Sequence, residues 1–224
     1  MKSTKRCMII AISCLSLVPL NLHAQGLSIT AGLGFEYFDA PSLSQYLNYA
    51  APGSITPGTY TTAGQFVGAC EYPISGDWSL GVELGYITKS SSSSGQAGQL
   101  QIDYSCLMPS ITLRKIVTGE NFYVKFGGGI GYHFGYLGAT NIYSNAPTNY
   151  SARGIGLKFD ALIDTKLGDN LYARVDGEAR SEFIGNLKAS DGSDLTFLDA
   201  TSNPQPVNMH LSGIGLTFGL VYYF

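Results

Sequence analysis

The 224-residue sequence predicts an all-β fold: an eight-stranded antiparallel up-and-down transmembrane β-barrel over residues 25–224, behind a signal peptide at 1–24. Three observations lead there. Large apolar residues alternate with small or polar ones at period two in eight stretches, and no long helical period follows residue 24. The connections between the stretches are alternately short and long. The composition combines 28 glycines and 15 tyrosines with only 13% charged residues, a low charged fraction for a soluble domain. That balance is a poor match to a soluble α/β enzyme, and the aromatic and branched content is too high for disorder. A net charge of −3, with no basic cluster beyond the first residues, gives no hint of a nucleic-acid partner.

The N-terminus has the three parts of a secretory signal. MKSTKR is a positive leader, CMIIAISCLSLVPLNL is an apolar run, and cleavage is expected after Ala24. The run is too short, and too close to Pro19, to make a good spanning helix. AISC, ending at Cys14, is a degraded lipoprotein box without the usual leucine, and it is the weaker reading. Either route exports the chain, which leaves Cys70 and Cys106 in an oxidising compartment. They fall on the second and fourth strands, about 9–10 Å apart at the strand spacing, beyond disulfide reach. Two free thiols in apolar surroundings are expected.

The eight strands follow in order: 27–38, 64–74, 78–89, 100–117, 121–137, 154–167, 171–187 and the closing stretch LSGIGLTFGLVYYF at 211–224. The fourth is over-long and loses its alternation near Met108–Pro109, which predicts a bulge, because proline cannot donate to a ladder. Tight turns built on SGD, TGE and GDN join strands two to three, four to five and six to seven, with Gly, Asp or Asn expected at positive φ. The other connections run to about 25, 10, 16 and 20 residues, with boundaries good to a few positions. Short turns facing one compartment and long loops facing the other are the habit of a membrane barrel. GLGFEY, GIGYHF, GIGLKF and GIGLTF repeat one pattern of glycines on one face and Leu, Ile, Phe or Tyr on the other. None completes a nucleotide-binding G-x-G-x-x-G or runs on into a helix.

The two faces differ in charge. The glycine-bearing parity carries Glu36, Glu71, Glu83, Asp103, Lys125, Lys158, Asp160 and Asp164, and strand seven adds Arg174, Asp176, Glu178, Arg180 and Glu182 in succession. The other parity holds Ile29, Leu33, Phe35, Leu80, Val82, Leu84, Val124, Phe126, Ile130, Leu157, Phe159, Val175 and Phe218. A soluble ligand barrel would turn that apolar set inward. Glycines on a solvated face would only weaken the strands, whereas inside a narrow barrel they make room for long charged side chains. Aromatic residues gather at both ends: Tyr72, Trp78, Phe122 and Tyr222 towards the turns, and Tyr37, Tyr86, Tyr104, Phe134 and Tyr136 towards the loops. Two girdles of this kind mark membrane interfaces.

With signal, alternation, loop pattern and terminal Phe224 together, residues 25–224 resemble the small outer-membrane barrels of Gram-negative bacteria, of OmpA/OmpX type or OmpW type. The likeness is architectural and rests on no diagnostic motif. It implies a monomer in the outer membrane, with outer-membrane lipid and lipopolysaccharide around it, and a C-terminal strand read by the barrel-insertion machinery through Phe218, Leu220, Tyr222 and Phe224. It also implies a structural or surface-interaction role without catalysis or cofactor, with OmpW-like lateral passage of small hydrophobic molecules near Pro109 as the alternative.

Candidate chemistry is sparse. Glu83, Asp103, Lys125, Lys158, Arg174, Asp176, Glu178, Arg180 and Glu182 are expected to form an ion-paired interior plug, with a gated polar path as the functional rival. His210 and Ser212 share the outward parity of the last strand and resemble the lipid A deacylase barrels. Gly213 stands where that family has asparagine, and no acid follows Ser212 to orient the histidine. His133 is expected to be an interior hydrogen-bonding residue. The run 191–199, DGSDLTFLD, does not fit a calcium loop. The first loop carries Tyr46, Tyr49 and Tyr60, and the third Tyr143 and Tyr150, among small polar residues suited to recognition of an extracellular ligand. PSLSQYLNY has the makings of one or two helical turns, and Ser90–Ser94 with Gly95 reads as a flexible tip.

Overall fold

A computed structural model describes residues 26–50, 62–95, 98–140, 148–199 and 201–224. The expected signal peptide at 1–24, Tyr60 and Tyr143 lie outside the described residues.

Eight long strands form the wall: β1 (Ser28–Asp39), β2 (Thr62–Ser75), β3 (Trp78–Gly95), β4 (Gly98–Thr118), β5 (Phe122–Thr140), β6 (Thr148–Lys166), β7 (Leu171–Asn186) and β11 (Asn208–Tyr223). Each pairs antiparallel with its sequence neighbours, β7 with β11, and β11 with β1 closes the cylinder. The seam is tied at its end by the amides of Gly26 and Phe224, which donate to the carbonyls of Phe224 and Leu27 at 3.2 and 2.9 Å. Closure removes every unpaired sheet edge within the wall, which is what a strand protein needs to cross lipid. In the loop between β7 and β11 lie β8 (Lys188–Ala189), β9 (Thr196–Leu198) and β10 (Pro204–Pro206). One helix, α1 (Pro41–Ala50), follows β1, longer than the turn or two expected there.

The outer surface confirms the inside-out assignment. Ile29, Leu33, Phe35, Leu80, Val82, Leu84, Phe126, Ile130, Leu157, Phe159, Val175 and Phe218 are all exposed, Phe159 by 71%. A water-soluble protein does not wrap itself in such a belt; a lipid-facing wall does. Tyr72, Trp78, Phe122 and Tyr222 face outward at the turn end, and Tyr37, Tyr86 and Tyr136 at the loop end. Cys70 and Cys106 are free thiols, Cys70 partly buried and Cys106 fully.

Four sequence expectations are corrected. No bulge occurs at Pro109: the β3–β4 register runs unbroken from Trp78↔Lys115 to Gly95↔Gly98. On its other side β4 only skips two pairs, and the register with β5 is the same at Leu107↔Phe134 as at Ser110↔Gly131. A missing donor interrupts a ladder without shifting it. The register shifts fall instead at Pro73/Ser75 in β2 and Asn208/Met209 in β11. Ser90–Ser94 is not a separate tip, because β3 and β4 continue as a hairpin to Gly95 and Gly98. Of the three tight turns only SGD places a residue at positive φ, Gly76 at 38°. Gly119 serves space rather than conformation, since a Cβ there would overlap the Phe122 ring. Tyr104 does not join the outer girdle: it is buried inside, 1% exposed.

Candidate functional site: the barrel interior and its loop-side cap

Inward parity delivers a column of charged side chains from seven strands to the barrel axis. At the turn end, Tyr123, Tyr172 and Tyr223 pack ring to ring with centroids 4.9–5.5 Å apart. The Tyr223 hydroxyl donates to Asp164 at 2.7 Å, and Arg174 grips the same carboxylate through Nε at 2.6 Å and Nη2 at 2.8 Å. Above them Lys125 pairs with Glu71. Arg114 then holds three acids at once: Glu71 at 2.9 Å, Glu83 at 3.0 Å, and Asp160 through Nε and Nη2 at 2.9 and 2.7 Å. Lys158 reaches Glu83 at 2.6 Å, Asp160 at 3.1 Å and Glu178 at 3.2 Å. Arg180 grips Glu178 at 2.7 Å and stands 3.8 Å from both Glu36 and Glu182.

Such a bundle persists because most of its charges, removed from water, face opposite charges at hydrogen-bond range; Glu36, 3.8 Å from Arg180, and Asp176 do not. Acids outnumber bases: eight carboxylates are buried against five cationic side chains among the described residues. The excess shows as unpaired atoms. Glu36 Oε2, Asp176 Oδ1 and Glu182 Oε1 have no hydrogen-bond partner within the described protein, and neither has the neutral Tyr104 hydroxyl in the apolar core above.

Of the expected interior set, Glu83, Lys125, Lys158, Arg174, Asp176, Glu178, Arg180 and Glu182 are all buried in the lumen. Asp103 is not. It lies exposed on the outside of the β3–β4 hairpin, accepting from Ser90 Oγ at 2.5 Å and from Gln101. The physical reason is height. Inside the membrane band, polar means inward. Beyond the band the outer surface meets water and the relation inverts, so Ile102, Tyr104, Cys106 and Met108 point in while Asp103 points out. The same inversion hid Arg114, the hub, which sequence reasoning missed. Its parity is fixed by Thr112 and Ser110 two and four residues before it, all buried, and counting straight through Pro109 would have found it.

His133 is interior, as expected, and is held between two partners. Its Nε2 lies 3.1 Å from Ser110 Oγ, and its Nδ1 contacts the Glu182 carboxylate. Gly156 makes this seat: a Cβ there would overlap both the imidazole and Glu182. The connectivity is that of a serine–histidine–acid relay, with Ser110 itself buried. His210 and Ser212 lie on the outer wall, but they are not joined. Ser212 Oγ is 3.2 Å from Ser181 Oγ, and His210 packs edge-on against Phe183 at 6.0 Å.

Over the charged column sits an apolar core. Phe38, Ile87, Ile102, Tyr104, Cys106, Met108, Leu137, Ile184, Leu187, Met209 and Leu211 fill the loop-side half, with Leu43 and Leu47 of α1 and Phe197 of β9 laid on top. Tyr46 and Tyr150 pack partly buried against it, and Tyr49 lies 6.5 Å from the Phe197 ring. Burial pushes the Tyr46 hydroxyl up to about 12. The 191–199 acids are engaged within the cap: Asp191 accepts from Ser193, Lys188 pairs with Asp194 at 2.8 Å, and Asp199 accepts from the amides of Thr201 and Asn203 at 2.9 Å.

Similar architecture is found in solved structures. Neisserial surface protein A superposes with a TM-score of 0.55 at 8% identity, over 89% of this chain and 97% of that one. A major outer membrane protein from Thermus thermophilus gives 0.55 at 14% identity over 88% and 99%. OprG from Pseudomonas aeruginosa gives 0.52 at 15% identity over 90% and 96%. The protein has the fold of a small outer-membrane β-barrel. No protein-family model and no curated sequence matches the chain, so the likeness to these barrels is one of fold.

With this fold, Phe218, Leu220, Tyr222 and Phe224 lie exposed on the outer side of β11 and just beyond, with Tyr222 and Phe224 edge to face at 4.9 Å. Between α1 and the β9–β10 hairpin a cavity of about 520 Å³ opens, lined by Ser42, Gln45, Asp199, Gln205, Asn208 and His210 among others.

Proposed function

We propose that this is a closed, monomeric outer-membrane barrel without catalytic activity, which serves envelope structure or recognition at its loop-side cap. One observation carries the reading: the lumen is filled in three successive layers, the tyrosine cluster, the ion-paired column and the apolar core under α1. A barrel sealed in this way has its free chemistry outside the membrane, on α1, the β9–β10 hairpin and the tyrosines between them. Its lipid surroundings, and insertion through the C-terminal aromatic strand, belong to the same reading. The test is reconstitution of residues 25–224 in planar bilayers. The expected trace is flat at neutral pH; stepwise ionic current would sink the sealed reading. Release of fatty acid from lipid A by the purified protein, abolished in Ser212→Ala, would overturn the absence of catalysis.

The skipped pairs beside Met108 and Pro109 favour a second reading, lateral passage of small apolar molecules through the β4–β5 seam. Pro109→Val restores a donor to the ladder. Uptake of an apolar solute into liposomes that falls in this variant would support passage; uptake no faster than in protein-free liposomes would dismiss it.

A further inference from the structure

Among the described residues the chain has four arginines, and three of them (Arg114, Arg174 and Arg180) are buried and paired. The fourth, Arg153, is different. It is exposed on the outward parity of β6, two residues beyond Ile155 and four beyond Leu157, both on the lipid-facing wall. Its guanidinium makes no hydrogen bond or ion pair with any described residue. It lines a cavity of about 500 Å³ on the barrel's flank, together with Phe134, Tyr136, Gly185, Asn186 and Lys188.

The sequence builds this recess simply. Phe134 is the register partner of Arg153 across the β5–β6 ladder. On the other side Gly185 leaves the floor open, since a Cβ there would meet only the Arg153 carbonyl oxygen, at 3.7 Å. Aromatic walls exclude water on one side, and Asn186 and Lys188 border the loop side. Lys188 is exposed and pairs with Asp194 in solvent, an arrangement an incoming anion can share, because exposed pairs are weak. Below the recess the wall continues as Tyr132, Ile155 and Phe183, each about half exposed.

We propose that this recess binds the phosphate of a lipid headgroup. A guanidinium presents a planar fork that matches phosphate oxygens, and a second cation beside it adds charge without geometry. An arginine with no partner among the described residues, at the rim of an apolar belt and between aromatic rings at interface height, is placed for a ligand with an anionic head and an apolar tail. A free phosphate would gain nothing from Tyr132, Ile155 and Phe183. The proposal rests on the outer wall facing lipid, as the fold indicates.

The test uses full-length mature protein refolded in neutral detergent. Dioleoyl phosphatidic acid is titrated, with dioleoyl phosphatidylcholine and inorganic phosphate as separate arms, and adducts are followed by native mass spectrometry. Arg153→Ala should weaken phosphatidic acid binding by about tenfold or more, as expected for loss of a charge-assisted pair. Arg153→Lys should recover only part of the binding, and Lys115→Ala, at the turn end, should leave it unchanged. All variants should keep the heat-dependent gel shift of a folded barrel, and a variant that lost it would indict the lipid-facing wall rather than the recess. Equal binding by wild type and Arg153→Ala, or equal binding of phosphatidylcholine, overturns the proposal. Displacement of phosphatidic acid by millimolar inorganic phosphate would make this a free-phosphate site and overturn the lipid assignment.

Discussion

Arg114 and Asp103 are 11 positions apart on one strand and have opposite fates. Arg114, 1% exposed, pairs with Glu71, Glu83 and Asp160 together. Removing a buried partner leaves the others charged and unsolvated, so Arg114→Leu should cost about 3–5 kcal/mol, read as a fall in the urea midpoint of the refolded barrel. Asp103→Ala, on the wet outer face of the hairpin, should stay within about 0.5 kcal/mol of wild type in the same assay. Asp199 offers a pH-dependent case outside the membrane. The Asn203 amide, and then the Thr201 hydroxyl and amide, donate to it and hold the carboxyl below the usual carboxylate range. A depressed folded value means the stabilisation is complete above the unfolded value near about 4 and fades as pH falls through the folded value. Amide exchange at Thr201 and Asn203 should therefore, after correction for intrinsic rates, lose protection below about pH 4.

At the scale of elements, each strand's outer face tests the membrane reading. Phe159 is the most exposed of the belt at 71%. In a soluble protein Phe159→Arg would be harmless; in a bilayer it should cost about 2–4 kcal/mol near the midplane, measured as folding free energy in lipid vesicles. The cap can be perturbed without touching the lipid-facing wall. Leu43 and Leu47 of α1 are buried on the apolar core. Leu43→Ala should loosen the cap by about 2–5 kcal/mol, seen as faster proteolysis at the loop side while the barrel still resists unfolding in the gel. The closing strand pairs with the first through β1–β11, so deletion of Phe224 should lower the yield of folded barrel in vesicles.

For the whole molecule, the decisive feature is that two kinds of filling meet inside one wall. Ion pairs occupy the turn-side part of the lumen, and an apolar core occupies the loop-side half. Arg180, with Glu178 on one side and the Met108 sulfur 3.0 Å away on the other, sits at the boundary. Glu36, Tyr104 and Glu182 each carry an unpartnered polar atom. In the sealed barrel we propose, the apolar half interrupts the continuous polar path that conduction would need.

The number of membrane strands, their antiparallel order, the lipid-facing residues and most of the interior charges were legible in the sequence. Alternation at period two is a local property of each strand, and within lipid it maps polarity directly onto inside and outside. The mapping reverses beyond the band, which is why alternation alone puts Asp103 and Tyr104 on the wrong sides and passes over Arg114 behind Pro109. Only the tertiary structure decided which charges meet. Arg114 finds Glu71 and Asp160, 43 and 46 positions away, because the stagger of strands around a closed cylinder brings side chains from opposite walls to one level. Alternation along one strand carries no record of that stagger, nor of how a ten-residue helix folds back over the mouth to bury an apolar core.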